Sequence, residues 1–247
     1  MLVFLVRRLL ATIPVLVIVA IIVFLGTRLA PGDPAAAIVG NSGTSEDIAR
    51  VRIELGLDRP LPVQFGIWTK NLLNGELGRS YYMQQPVSTL VAQRLEPTIS
   101  LAALTLCFAV LVAVPLGILA AWRHGGWLDR ALMSFSVLGF SIPVFLTGYL
   151  LIWLVALKWG VLPVQGYARL GDGHDIGSWL RHLILPALAL SVIYIALIAR
   201  ITRAAVAEAL TEDYIRTARA KGVTEWRVLW RHAAANAAVP IVTVIGL

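Results

Sequence analysis

The chain has 247 residues, 58% of them hydrophobic and only 14% charged, against roughly 45–50% and about 25% in soluble domains. That balance excludes a soluble globular protein and defines an integral membrane protein. The formal net charge of +7 matters first through where the positive residues fall relative to the spans.

Residues 9–27 carry no charge and are long enough to cross about 30 Å of hydrocarbon at about 1.5 Å per helical residue. Arg7 and Arg8 precede them and small residues follow, as in a signal peptide. The apolar stretch exceeds the usual roughly 7–15 residue h-region, however, so an uncleaved first span is expected.

The segment that follows has helical signals of its own. Thr44 and Asp47 have the spacing of a capping box ahead of Ile48, Val51 and Leu55, with Gly56 ending the pattern. A second helix is expected from about Pro62 to Leu73, ended by Gly75. A third, Pro86 to Leu95, places Val87, Leu90, Val91 and Leu95 on one face and is expected to lie along the membrane surface.

Three more uncharged runs follow, Thr98 to Trp122, Ala131 to Leu157 and Leu183 to Ala199. Counting the first, the four runs contain Pro14, Pro115, Pro143 and Pro186, read as kinks because packed neighbours in a membrane satisfy the freed carbonyls. Cys107, the only cysteine, sits in such a run and reads as a buried structural thiol; no disulfide framework is possible. A last apolar run begins near Ala233 and stops at Leu247, which reads as a fragment cut within a fifth span.

Lysines and arginines sort the connections. Residues before span one, the loop 123–130 and the segment 200–236 together hold eleven. The opposite side has Arg169 and Arg181, plus six in 31–97 that are outnumbered by seven acidic residues. The N-terminus and the 200–236 segment are therefore expected in the cytoplasm.

Chemistry of other kinds is missing. Lys70, Lys158 and Lys221 are followed by Asn71, Trp159 and Gly222, so no lysine stands in a phosphate-binding loop, which needs glycine before it and a hydroxyl residue after it. The four uncharged runs hold no aspartate, glutamate, lysine, arginine or histidine, which disfavours an ion-coupled carrier. His124, His174, His182 and His232 are scattered; "GDGHD", Gly171 to Asp175, reads as a glycine-rich turn rather than a metal site. No nucleophile, base and orienter triad stands out.

The most structured charge pattern runs from Arg200 to Asn236. Thr211 is placed to cap a helix with Glu212 and Asp213 in its first turn. Tyr214, Ile215 and Ala218 cover one face, Arg216, Arg219 and Lys221 the rest, and Gly222 ends it. Thr224 is placed to cap a second helix in which Val223, Trp226, Leu229, Trp230 and Ala233 repeat at helical spacing. A polybasic lipid-contacting loop would explain the charges, but the small residues Thr217, Ala218, Ala220 and Gly222 suit close approach by another protein.

"EDYIRTARAKGVTEWRVLWRHAAANAAVPIVTVIGL" resembles the cytoplasmic signature of ABC importer permeases of the dipeptide, oligopeptide and nickel branch, with its "DYxRTARAKG" and "RHxxxNAxxP". "RRLLATIPVLVIVAIIVFLGTRLAPGDPA", "LGLDRPLPVQF" and "GELGRSY" are similar to that branch's first span and external segment, so the likeness covers essentially the whole chain. The broader permease signature has Glu-Ala-Ala where Arg216, Thr217 and Ala218 stand, and its proline lies nearer the glycine than Pro240 does. Both departures are typical of the peptide branch.

The resemblance implies an all-α, polytopic helix bundle of the type I importer permease kind. About five spans are expected here, the fifth cut off and a sixth missing. Residues 1–30 would form the N-terminus and first span, 31–97 an extracytoplasmic helical segment, and 98–247 the permease core with its coupling loop at 200–236. The implied setting is the bacterial inner membrane, with membrane lipid, a second homologous permease, two cytoplasmic ATPases and an extracytoplasmic solute-binding protein as partners, and no nucleic acid. The implied function is import of peptides or a related solute such as glutathione or a nickel chelate. The chain itself would hold no cofactor, ATP and magnesium belonging to the ATPases. Tyr214, Arg216, Thr217, Ala218, Ala220, Lys221, Gly222 and Val223 are the expected docking residues of the coupling helix. A membrane scaffold that recruits a cytoplasmic protein, or an ion-coupled carrier, are the alternatives.

Overall fold

A computed structural model describes residues 2–29, 32–39, 44–80, 83–170, 173 and 175–246. Two compact units divide the chain, 1–93 and 94–247, and no β-strand occurs among the described residues.

In the first unit, the charge-free run becomes α1, Leu2–Leu29, with Pro14 inside it. Its side chains are largely exposed, with Phe24 buried near its end, as suits a helix solvated by lipid. Phe24 packs edge-on against Phe65 (centroids 5.3 Å apart) and against Trp68 (5.8 Å). The short α2, Pro34–Val39, is tied to α3, Ser45–Glu54, by an ion pair between Asp33 and Arg52.

The capping box before α3 is formed: Asp47 N donates to Thr44 Oγ1 at 3.2 Å, and Thr44 N to Asp47 Oδ2 at 3.1 Å. Hydrogen bonds to Thr44 and to Arg52 hold the carboxyls of Asp47 and Asp33, respectively, below their usual pKa. α4, Leu61–Leu73, stops before Gly75, whose φ of +81° ends the turn at no steric cost.

The expected surface helix at 86–95 is not separate. It is the beginning of α5, a single helix from Val87 to Trp122 with Pro97 and Pro115 inside it. No glycine lies between Val87 and Gly117 to break it.

In the second unit, α5 packs with α6, Trp127–Ser141, and α8, Ile176–Ala209. Small residues let these helices approach closely. A β carbon on Gly117 of α5 would lie 2.7 Å from both the Ala199 carbonyl and Thr202 Cβ of α8, and one on Gly139 of α6 would lie 2.9 Å from Ala196 Cβ. Ser136 Oγ donates to its own helix at Leu132 O (2.9 Å) and across to Ala196 O (3.2 Å).

Two expectations are corrected here. Pro143 breaks its helix rather than kinking it: α6 ends at Ser141, α7 runs Val144–Leu151, a π-helical segment follows at Ile152–Lys158, and the two halves bend by 101°. Proline disfavours helical geometry in the residue before it, and Ile142 is extended at φ −87°, ψ 120°. Cys107 is exposed, not buried, because an apolar helix in a membrane turns apolar side chains outward; Leu106 and Leu111 beside it are exposed too.

Beyond α8 come α9, Asp213–Ala220, and α10, Glu225–Arg227, which widens into a π segment, Val228–Ala233. α11, Ala234–Asn236, and α12, Ala238–Ile245, follow, with a 59° bend between the halves. Among the described residues, three helices are long and apolar enough to cross a membrane, or up to five if each bent pair is one crossing.

Candidate functional site at the Asp213–Ala220 helix

α9 is short, strongly two-faced and pinned from several directions. Ile215 and Ala218 are buried in one cluster with Ile118 and Ala121 of α5, Val206 and Ala209 of α8, and Val228, Leu229 and Ala233 of the π segment. Those contacts join α9 to the ends of two long helices.

The helix ends in a Schellman motif. Val223 N donates to Ala218 O at 3.2 Å and Gly222 N to Arg219 O at 2.9 Å, with Gly222 at φ +76°. Arg219 then reaches across the turn and grips Glu225 with both Nε (2.8 Å) and Nη2 (3.1 Å). That bond pushes the Arg219 pKa up from its ordinary value. The turn is closed by backbone on one side and by a bidentate ion pair on the other.

Of the expected docking residues, Tyr214, Arg216, Thr217, Ala220, Lys221 and Gly222 are exposed, Val223 is half-buried, and Ala218 faces the core. Tyr214 therefore does not share a face with Ile215 and Ala218. Arg216 pairs with Asp213 at 3.2 Å, and the Thr217 hydroxyl donates to Asp213 O. Around Gly222 there is open space: a β carbon there would meet nothing within 4 Å.

The caps differ from expectation. Glu212, not Thr211, is the N-cap residue of α9, and the Thr211 hydroxyl instead donates back to Glu208 O at 2.7 Å. Thr224 does stand at the N-cap of α10, but its side chain makes no capping bond. Of the face expected on the second helix, Leu229 and Ala233 are buried and Val223 and Trp230 half-buried, with Val228 buried beside them; Trp226 is exposed, its ring tilted against that of Trp230 with centroids 5.5 Å apart.

Sequence reasoning missed the ionic partners. Glu225 enters the sequence reading only within the quoted motif, and Asp129 does not enter it. Asp129, at the start of α6, is buried and receives Arg203 of α8 and the Gly125 amide. A lone acid between Arg123 and Arg130 was the available signal. In "GDGHD", Gly171, Asp172 and His174 lie outside the described residues, and among those described no cluster could hold a metal.

A multi-pass helical bundle with a rigid, two-faced helix clamped to its helix ends has the form of a transport permease. The family "Binding-protein-dependent transport system inner membrane component" matches residues 113–247, and the N-terminal module of the same membrane components matches 1–102. The chain belongs to this family: it is a membrane permease subunit of an ABC importer and not itself an enzyme. It is 53% identical to "Probable peptide ABC transporter permease protein y4tP" of Sinorhizobium fredii, over 99% of this chain and 78% of that protein. It is 42% identical to "Glutathione transport system permease protein GsiC" of Pectobacterium atrosepticum, over 100% of this chain and 78% of that one.

Proposed function

We propose that this permease imports short peptides, in partnership with a second homologous permease, two ATPases and an extracytoplasmic solute-binding protein. α9 is its coupling helix, docked on one ATPase at the cytoplasmic face with the N-terminus on the same side. The positive-residue count supports the orientation, and the relatives' names support peptide as the solute.

One observation carries the docking role. α9 buries Ile215 and Ala218 against the ends of α5 and α8 while turning Arg216, Thr217, Lys221 and the open space at Gly222 outward. A helix fixed on one face and free on the other passes a rigid-body push from a partner into the bundle. ATP and magnesium would be held by that partner.

Reconstituted with its partners, the protein is expected to take up peptide only with hydrolysable ATP; uptake driven by an ion gradient alone would overturn the reading. Gly222→Asp is expected to detach or uncouple the ATPase while the permease stays inserted. Full ATPase association and transport in that variant would remove α9 from the contact.

A further inference from the structure

Two cavities of the second unit meet at His182. The first, about 390 Å³, lies between α7 with its π continuation and the turn of α8 around Pro186, beneath the loop 163–166. Val144, Phe145, Ile152, Leu185 and Leu190 make its walls apolar. It begins beside the Ile142–Pro143 break, and irregular backbone within an apolar span is tolerated where it lines a cavity. The second cavity, about 480 Å³, shares Pro163 and His182 and adds Asp175 and Arg181. Both volumes fall in the roughly 300–1,000 Å³ range of ligand pockets.

The polar groups at the junction have defined roles. His182 Nδ1 lies 2.8 Å from the Ser178 carbonyl, which can only accept, so Nδ1 carries a proton. In the neutral ring that leaves Nε2 as an acceptor, on the edge beside Gly166. Asp175 Oδ1 is occupied in capping α8 at the Ser178 amide. Arg181 has one long contact, Nη2 to the Val161 carbonyl at 3.4 Å, which leaves most of its donor fork for an anion.

We propose that the paired cavities form a solute subsite of the permease, which takes the apolar side chain of a short peptide in the first cavity and its terminal carboxylate on Arg181 in the second. His182 Nε2 accepts from the peptide amide between them. The subsite rests on the peptide reading above and adds to it a preference for an apolar side chain and a free carboxyl end.

Gly148 supplies a clean probe. It lines the apolar cavity, its backbone is not in the left-handed region, and a β carbon there meets nothing within 4 Å, so Gly148→Leu fills the space without strain. The full chain, co-purified with the rest of its transporter, is assayed in proteoliposomes for ATP-dependent uptake of Gly-Gly, Gly-Phe and Gly-Phe amide. Gly148→Leu is expected to raise KM for Gly-Phe about tenfold and leave Gly-Gly unchanged, the scale on which an apolar pocket discriminates size. Arg181→Gln is expected to raise KM for Gly-Phe about tenfold and leave the amide unaffected, consistent with loss of a charge-assisted bond. If the parent imports Gly-Phe and neither variant shifts its KM, or if all three substrates suffer equally, the subsite is overturned and the peptide reading stands. A parent that imports none of them under ATP overturns the peptide reading itself, and the subsite with it.

Discussion

Asp129 and Arg203, 74 residues apart, meet in a bidentate pair: Arg203 Nε and Nη2 each lie 2.8 Å from a carboxylate oxygen of Asp129. The same carboxylate accepts from the Gly125 amide at 2.9 Å, so one buried acid fixes the α5–α6 turn and the α6–α8 contact together. Removing Asp129 leaves the half-buried Arg203 without its partner, a loss expected to fall below the roughly 3–5 kcal/mol of a fully buried pair. Asp129→Ala is expected to lower the thermal unfolding midpoint in detergent sharply, and Asp129→Leu with Arg203→Met to recover much of the loss. Equal destabilisation by the single and double changes would show that the pair itself is not the cause.

Gly117 tolerates no side chain without movement, because a β carbon would stand 2.7 Å from the Ala199 carbonyl and Thr202 Cβ. Gly117→Ala is expected to destabilise the protein by about 1–3 kcal/mol through overpacking, read as a lower unfolding midpoint. Gly148→Ala, where the β carbon meets nothing, is the matched control and is expected to leave the midpoint unchanged or slightly raised.

At Gly222 the penalty is conformational alone, since φ is +76° and the surrounding space is open. Gly222→Ala is expected to cost about 1–2 kcal/mol for left-handed backbone, whereas Gly222→Asn, a residue that visits this region readily, should cost less. Hydrogen exchange at the Val223 amide, which bonds the Ala218 carbonyl, is the local readout: Ala should speed it and Asn leave it nearly as slow as in the parent.

The cap of α3 depends on pH. The Asp47 carboxyl is held below its usual value chiefly by the Thr44 hydroxyl, and that of Asp33 by Arg52. A carboxyl with a lowered folded-state pKa contributes stability that is present above its unfolded value and lost as pH falls through the folded one. Protection of the α3 amides, corrected for intrinsic exchange, is therefore expected to be constant at neutral pH and to fall on acidification below about pH 4. In Asp47→Asn the acid-induced loss attributable to the cap should disappear.

Local signals were readable in the sequence and long-range ones were not. The Thr44–Asp47 box and the stops at Gly75 and Gly222 depend on neighbours a few residues away, and all formed as expected. The break at Pro143 was misread because proline is written alike whether it bends a helix or ends it; the extended backbone at Ile142 decides. The Asp129–Arg203 pair spans 74 residues; the lone acid between Arg123 and Arg130 marks one end of it, and nothing along the chain names the other. Within the candidate site, the glycine turn was legible. The separation of Tyr214 from Ile215 and the exposure of Trp226 were not, since periodicity places a residue on a helix without saying which neighbours cover it.

Both glycine contacts, Gly117 to Ala199 and Gly139 to Ala196, fall within one turn of α8, beside the rung where Ser136 bonds Ala196. At that level three helices share a waist too narrow for any of them to slide along another without a collision of methyl groups and carbonyls. A permease must nevertheless change shape to let a solute through. With that level locked, the travel is expected on either side of it, at the Ile142–Pro143 elbow on one and by α9 and its closed turn moving together with the helix ends on the other, so that the close-packed level serves as the fulcrum.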